Sequence, residues 1–455
     1  MWQRFLLLIA LILCGQSAQA SLECRNWLLA LDQAVLDAGV NDAASARIDG
    51  FPYLRANRWL AYLQTATATD AQQEQWLRLA GNEAITALTL ELKQLDPIHP
   101  LLTVTSDWRQ RLQQCVDTLV SLSGFPGVPS IDIADNYSTR NRVLGLYKIT
   151  QLLARPSMNT YRDDMAKRFK RPFRLPIRHY VPEPFRGTPP PPEMLSRNPL
   201  DVPSPSYGAG QALLSHYAPV LSVANTLTYN QPGAVTRDAE NIRVDYSQPT
   251  AYSWLSWTHF RGHNLLQLNY QFWFSERPKK GSMDLYGGDL DSIIWRVTLK
   301  PDGQVLMYDS IHGCGCYHKT YRVANGLVPA NDGPAAAVQY PSPVPNARSN
   351  RVSLIVEPDT HYIVRVEKFV PGQHMERYQL SDANALRAMP VGDGFKSIYR
   401  NDGLIPQSAR RERLILWPLG VPSAGAMRQP GTHAIAFIGR QHFDSPTLLN
   451  SLFKN

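Results

Sequence analysis

The sequence predicts an α+β fold in two domains, an N-terminal α-helical bundle followed by a C-terminal, mainly antiparallel β sandwich or open barrel. Three observations lead there. Apolar residues recur at a helical period of about 3.6 before Lys170, and alternate at a period of about 2 after Tyr207. Eleven prolines fall between Pro172 and Pro205, where the period changes. The chain has 455 residues, 44% of them hydrophobic, enough for two domains with sizeable cores.

Residues 1–20 have the anatomy of a secretory signal peptide. Arg4 supplies the positive start, Phe5 to Leu13 form an apolar run, and Ala18-Gln19-Ala20 is a small-x-small cleavage site. The mature chain is expected to begin near Ser21, in the periplasm or outside the cell. No later stretch reaches the roughly 18 consecutive apolar residues a spanning helix needs, so no transmembrane segment is expected in the mature chain.

Export implies an oxidising compartment, where thiols pair. Cleavage removes Cys14 and leaves Cys24, Cys115, Cys314 and Cys316. Cys24 with Cys115 is the favoured pairing, because both lie in the N-terminal half. The net charge is +8, and losing Arg4 leaves +7, a mild basic excess. The run Lys167-Arg168-Phe169-Lys170-Arg171 reads as a solvated face, with weak contact to anionic envelope surfaces as the minority reading. Nucleic acid is not expected as a partner.

Residues 21–170 form the predicted helical domain. Trp27, Leu28, Leu31, Ala34, Val35 and Ala38 share one helical face, as do Leu112, Cys115, Val116, Leu119 and Leu122. Asp70 reads as an N-cap, and the whole suggests a bundle of about four to six helices. Asp132 to Tyr137 reads as an Asx-rich turn rather than a cation loop. Residues 171–206 are the proline-rich linker, expected to run extended without building a ladder, with Pro189 to Pro192 at its centre.

Residues 207–455 form the predicted β-rich domain. From Leu266 to Phe274, apolar residues alternate with Gln267, Asn269, Gln271 and Trp273, the pattern of a half-buried strand. Ser292 to Lys300 and Gln304 to Ile311 pair as a hairpin around Pro301-Asp302-Gly303. Arg351 to Val356 and Tyr362 to Phe369 form another hairpin, and Arg413 to Trp417 and Thr432 to Gly439 supply later strands. Short helices are expected at Asp382 to Ala388 and after Pro446.

Candidate chemistry gathers at Tyr308 to His318, where His312, Cys314, Cys316 and His318 alternate. A straight strand would put all four on one face. It would also hold His312 and His318 about 20 Å apart, beyond the reach of ligand bonds of about 2.0–2.3 Å to one ion. The expected metal centre therefore uses two neighbours from this stretch, or more if Gly313 and Gly315 bend it, completed by His259 or His263. Thiolate and imidazole donors favour zinc or copper. Glu276 and Asp309 are the carboxylates proposed as catalytic base, although a surface charge and a strand-end hydrogen bond are their plainer readings.

The leading expectation is an exported protein with a His/Cys transition-metal site, binding or hydrolytic. The rival is a non-catalytic envelope or interaction protein whose Cys314 and Cys316 form a structural or redox-active disulfide across Gly315. Nucleotide-binding loops, a nucleophile elbow, a zinc-protease helix and haem attachment are absent from the sequence.

Overall fold

A computed structural model of the chain describes residues 2–103, 107–171, 173–184, 195–224, 227–323, 327–330, 338–345, 351–372, 375–435 and 440–454. It is a mixed α+β protein built on one large curled sheet. The expected Pro189–Pro192 core of the linker lies outside the described residues.

Helices α1 (Trp2–Ala38), α2 (Arg58–Thr65), α3 (Asp70–Leu92), α4 (Pro100–Thr103) and α5 (Trp108–Leu122) open the chain. Leu28, Leu31, Leu63, Trp76, Leu88, Leu112 and Val116 from these helices enclose one apolar core, as their spacing requires. The cap of α3 is Thr69, not Asp70. Its side chain accepts from the Gln72 amide while Gln72 reaches back, a reciprocal box that leaves Asp70 in the favourable first turn. Cys24 on α1 and Cys115 on α5 form the expected disulfide, with Cα atoms 5.2 Å apart. No helix among the described residues is long and apolar enough to cross a membrane.

Helices α6 (Thr139–Leu144) and α7 (Tyr147–Lys170) follow. Met165 and Phe169 of α7 pack into the core of the sheet, so this helix belongs energetically with the strands. The Asp132–Tyr137 turn docks on the C-terminal segment. The Tyr137 hydroxyl lies 2.6 Å from the carbonyl oxygens of both Ile435 and Gln441.

The large sheet has eleven strands. In chain order they are β1 (Ile177–Pro182), β2 (Val220–Ala224), β3 (Thr250–Phe260), β4 (His263–Arg277), β5 (Gly288–Leu299), β6 (Val305–His312), β7 (Lys319–Val323), β8 (Val338–Val344), β9 (Val352–Val356), β10 (Ile363–Lys368) and β11 (Met375–Asp382). Their spatial order is β8-β7-β6-β5-β4-β3-β11-β1-β2-β9-β10. Six neighbouring pairs are antiparallel and four are parallel, so the sheet is mixed with an antiparallel majority. Helix α8 (Tyr207–Tyr217) packs Leu213, Leu214 and Tyr217 against it.

Four local expectations change. The linker does build a ladder: Ile177–Pro182 is β1, between β11 and β2, with Pro182 at the strand end where a missing donor is tolerated. Strand β4 is buried on both faces from Asn264 to Phe274, not half-buried, so Gln267, Asn269 and Gln271 point into a second interior. There Gln271 donates to the Ser292 hydroxyl at 3.0 Å and Gln267 to that of Thr298 at 3.1 Å. Arg413–Leu416 is a short helix, α9, rather than a strand. In the expected Thr432–Gly439 strand, Ala434 makes one isolated bridge to His442, and residues 436–439 lie outside the described residues. The Asp382–Ala388 segment is a 3-10 turn over Ala383–Arg387, and the tail helix is α10 (Leu448–Leu452).

Strands β4, β5 and β6 form the centre. One face carries Phe272, Phe274, Trp295, Val297 and Tyr308 into the main core. The opposite face carries Ile294, Met307 and Ile311 against Phe443, Leu448 and Leu449.

The disulfide joins residues 91 positions apart. Cys115→Ser should lower stability by about 4 kcal/mol through the unfolded chain's regained freedom, read as a shift of the denaturant midpoint. Reduction of the parent should produce the same shift.

Candidate functional site

The Tyr308–His318 stretch is a strand, a tight turn and a returning strand. The His312 amide donates to the Cys316 carbonyl at 3.0 Å, and the Gly315 amide to the His312 carbonyl at 2.8 Å. Gly315 has φ +85°, and a Cβ there would sit 2.4 Å from the Ala434 carbonyl oxygen. Only glycine fits that position. The bend allowed for at Gly313 and Gly315 is thus present, and it separates the two histidines. Ser310 and His312 alternate onto the face of Tyr308, whereas Asp309 and Ile311 take the other.

On the main-core face, Asp291 of β5 holds two histidines. His361, from the β9–β10 turn, places Nδ1 2.7 Å from Asp291 Oδ2, and its ring stacks on Phe274 with centroids 3.9 Å apart. His312 Nδ1 lies 3.6 Å from Asp291 Oδ1. The Nε2 atoms of both rings are buried without a hydrogen-bond partner. Burial opposes charge on Asp291, yet the two histidines hold it well below the usual carboxylate range. Burial pushes His312 down to about 4, against the pull of Asp291.

On the opposite face, Asp309 takes a fork from Arg296, Nε at 2.9 Å and Nη2 at 2.5 Å, and a contact from His318 Nε2 at 3.0 Å. Arg296 also donates to the Phe443 carbonyl at 2.7 Å and lies over that ring. Asp309 is buried and committed to this network, which is its plainer structural role and not that of a free base.

The expected metal set therefore divides among separate places. His312, Cys314 and Cys316 share the β6–β7 turn, and His318 faces the other side. His259 and His263 sit at the β3–β4 hairpin tip, where His259 pairs Nδ1 with Asn264 at 2.8 Å and His263 is exposed. Register aligns His312 with Ile293 and Ile293 with Phe272, nine residues from His263. At about 3.3 Å per residue that is about 30 Å, too far to complete a centre at the turn. Among the described residues, no group of three or more His, Cys, Asp or Glu is arranged to hold a metal ion. Glu276 is exposed near the end of β4, opposite Asp289, and takes no part in the turn. Cys314 and Cys316 are free thiols. A hydrogen bond to Cys314 and burial push the Cys316 thiol well up.

Sequence reasoning passed over the residues that surround His312. Tyr317 and Tyr362 stand edge-on to its ring at 5.1 and 5.4 Å. The Arg277 guanidinium lies 5.4 Å from the Tyr362 centroid and 5.7 Å from those of Tyr286 and Tyr317. Burial works against its charge, but Tyr317, Tyr362 and Asp291 hold Arg277 protonated. Lys319 is 1% exposed, with Nζ 4.6 Å from the Tyr362 ring. Burial pushes it down to about 7, with Glu357 opposing and Arg277 assisting. Burial also pushes Glu412 up to about 7. Arg277, Tyr286 and Thr360 line a cavity of about 550 Å³ that opens to solvent. Such a concentration of shifted groups beside a cavity marks a functional-site candidate. The only sequence signal for it was the tyrosine and lysine flanking the Cys-x-Cys turn.

The fold and the site define a mixed α+β protein with a buried polar cluster under one sheet turn. No protein-family model, curated protein or solved structure matches this chain.

Two outcomes follow. Asp309→Ala should cost about 3–5 kcal/mol, because it strands the Arg296 charge, and Asp309→Ala with Arg296→Met should recover part of that loss in urea unfolding. Between the free-histidine value of about 6.5 and the folded value of about 4, the unfolded chain binds a proton that His312 in the folded chain refuses. Stability should therefore fall as pH drops through this window, and His312→Gln should flatten the dependence.

Proposed function

We propose that this chain is an exported envelope protein that binds a small anion, a carboxylate or phosphate, at the cluster around Arg277 and Lys319. The observation that carries this reading is a buried Lys319 ammonium beside a half-buried Arg277 guanidinium at the cavity wall, neither with an ion pair within 4 Å among the described residues. An unpaired buried charge is costly, and an anion in the adjoining cavity would offset that cost. Arg277 lines the cavity and would make the direct contact, with its planar fork suited to two oxygens. Lys319 adds charge from behind the tyrosines. Asp291 supports the charge on Arg277 but is itself engaged by two histidines, and Asp284 and Asp359 also line the cavity. Export is supported by the signal-like N-terminus and is compatible with the Cys24–Cys115 disulfide.

A second reading has its own observation. Cys314 and Cys316 face each other across Gly315 as free thiols. In an oxidising compartment they would close a disulfide, and the reluctance of Cys316 to ionise favours a structural bond over a catalytic one. Alkylation and mass analysis before and after reduction should find both cysteines protected in protein taken from the envelope. Free thiols there would remove this reading.

Calorimetric titration with inorganic phosphate and with succinate tests the anion site. At least one should bind, and Arg277→Ala and Lys319→Met should each weaken it by about tenfold or more, with unchanged circular dichroism. Affinity should fall as pH rises through about 7, because Lys319 loses its proton there while Glu412 gains charge. Binding that ignores both substitutions, or none of either anion, would overturn the proposal.

A further inference from the structure

A second cavity lies where strand β3 loses its neighbour. Strand β11 pairs with β3 only from Thr250 to Ser253, and then the chain turns away at Ala383–Arg387. Trp254 to Trp257 keep β4 on one side but, among the described residues, have no strand on the other. Helices α2 and α3 approach this open edge without filling it. The resulting cleft, about 250 Å³, is lined by Trp59 of α2, Glu83 of α3, Trp254 and Trp257 of β3, and Asn384 and Asp444.

Its chemistry differs from that of the anion cluster. Two of the three tryptophan rings have fixing contacts: Trp59 stacks on Tyr62 at 5.7 Å, and Trp257 Nε1 donates to the Pro203 carbonyl at 2.8 Å. The cleft edge carries planar amides and carboxyls. Asn57 donates to Glu83 at 3.3 Å, and Asp444 Oδ2 lies 3.7 Å from His433 Nδ1. Charge is balanced, since Arg387 is paired with Asp42 at 2.6 Å and Arg58 faces Asp444, so neither an anion nor a cation is selected. Burial pushes the Glu83 carboxyl up, which favours a form able to donate as well as accept.

We propose that this cleft binds a neutral saccharide. A pyranose presents apolar C–H faces, which pack on indole rings by dispersion, and a rim of hydroxyls, which pair with amide and carboxyl groups. The open edge of β3 gives such a chain room to extend past a single ring. This site rests on residues separate from the anion cluster, and neither reading depends on the other.

Calorimetry on the full protein with chitotetraose, cellotetraose and maltotetraose tests it. At least one should bind in the millimolar range or tighter. Trp254→Ala should weaken that binding by about tenfold, about 1.4 kcal/mol, with the melting curve checked for folding. Ser256→Phe, which fills the cleft from its wall and leaves the tryptophans in place, should abolish it. Heat from none of the three sugars, or binding that survives Ser256→Phe in a folded variant, would overturn the proposal.

Discussion

Two carboxylates on adjacent strands have to remain charged where no water reaches them. Asp291 on β5 and Asp309 on β6 are both buried, and they lie on opposite faces of the same sheet. Each draws its polar partners from other parts of the chain: Asp291 from His312 and His361, Asp309 from Arg296 and His318. Desolvating such groups is costly, and it is tolerated only when the partners arrive in good geometry. These networks therefore tie the β6–β7 turn, the β9–β10 turn and the C-terminal segment to the sheet centre.

The same requirement shapes the site. Because His312 serves Asp291, it is turned inward, and Tyr317 and Tyr362 close over it. Those rings then form the floor on which Arg277 and Lys319 lie, beside a cavity. Ring faces meet both cations, while Asp291 supports the charge on Arg277 and Glu357 that on Lys319. Arg277 is the cation that reaches the cavity edge, where the proposed anion would sit.

Local signals were legible in the sequence. The Pro301-Asp302-Gly303 turn sets β5 against β6, the helical spacing of Leu112, Cys115 and Val116 faces the helical core, and the Cys24–Cys115 pairing follows from position in the chain. The parallel pairings were not legible. Strand β1 is disguised by Pro176 and Pro182, and its partners β2 and β11 arrive from far along the chain. The alternation in β4 suggested a wet face because Gln267, Asn269 and Gln271 are polar, but they bond to one another's neighbours in a second interior. In the site, the glycines of the Cys-x-Cys turn pointed to a bend. Which histidine meets which aspartate depends on strand register and on His361, held at φ +52° in a remote turn, and neither is encoded locally.

The central claim is that Lys319 is held out of water, short of a partner, until an anion arrives. Its titration, followed by nuclear magnetic resonance of the lysine side chains, tests this most directly. The expected midpoint is about 7 in the free protein, rising when phosphate or succinate is bound. A midpoint near the ordinary lysine value of about 10.4, unmoved by either anion, would contradict the account.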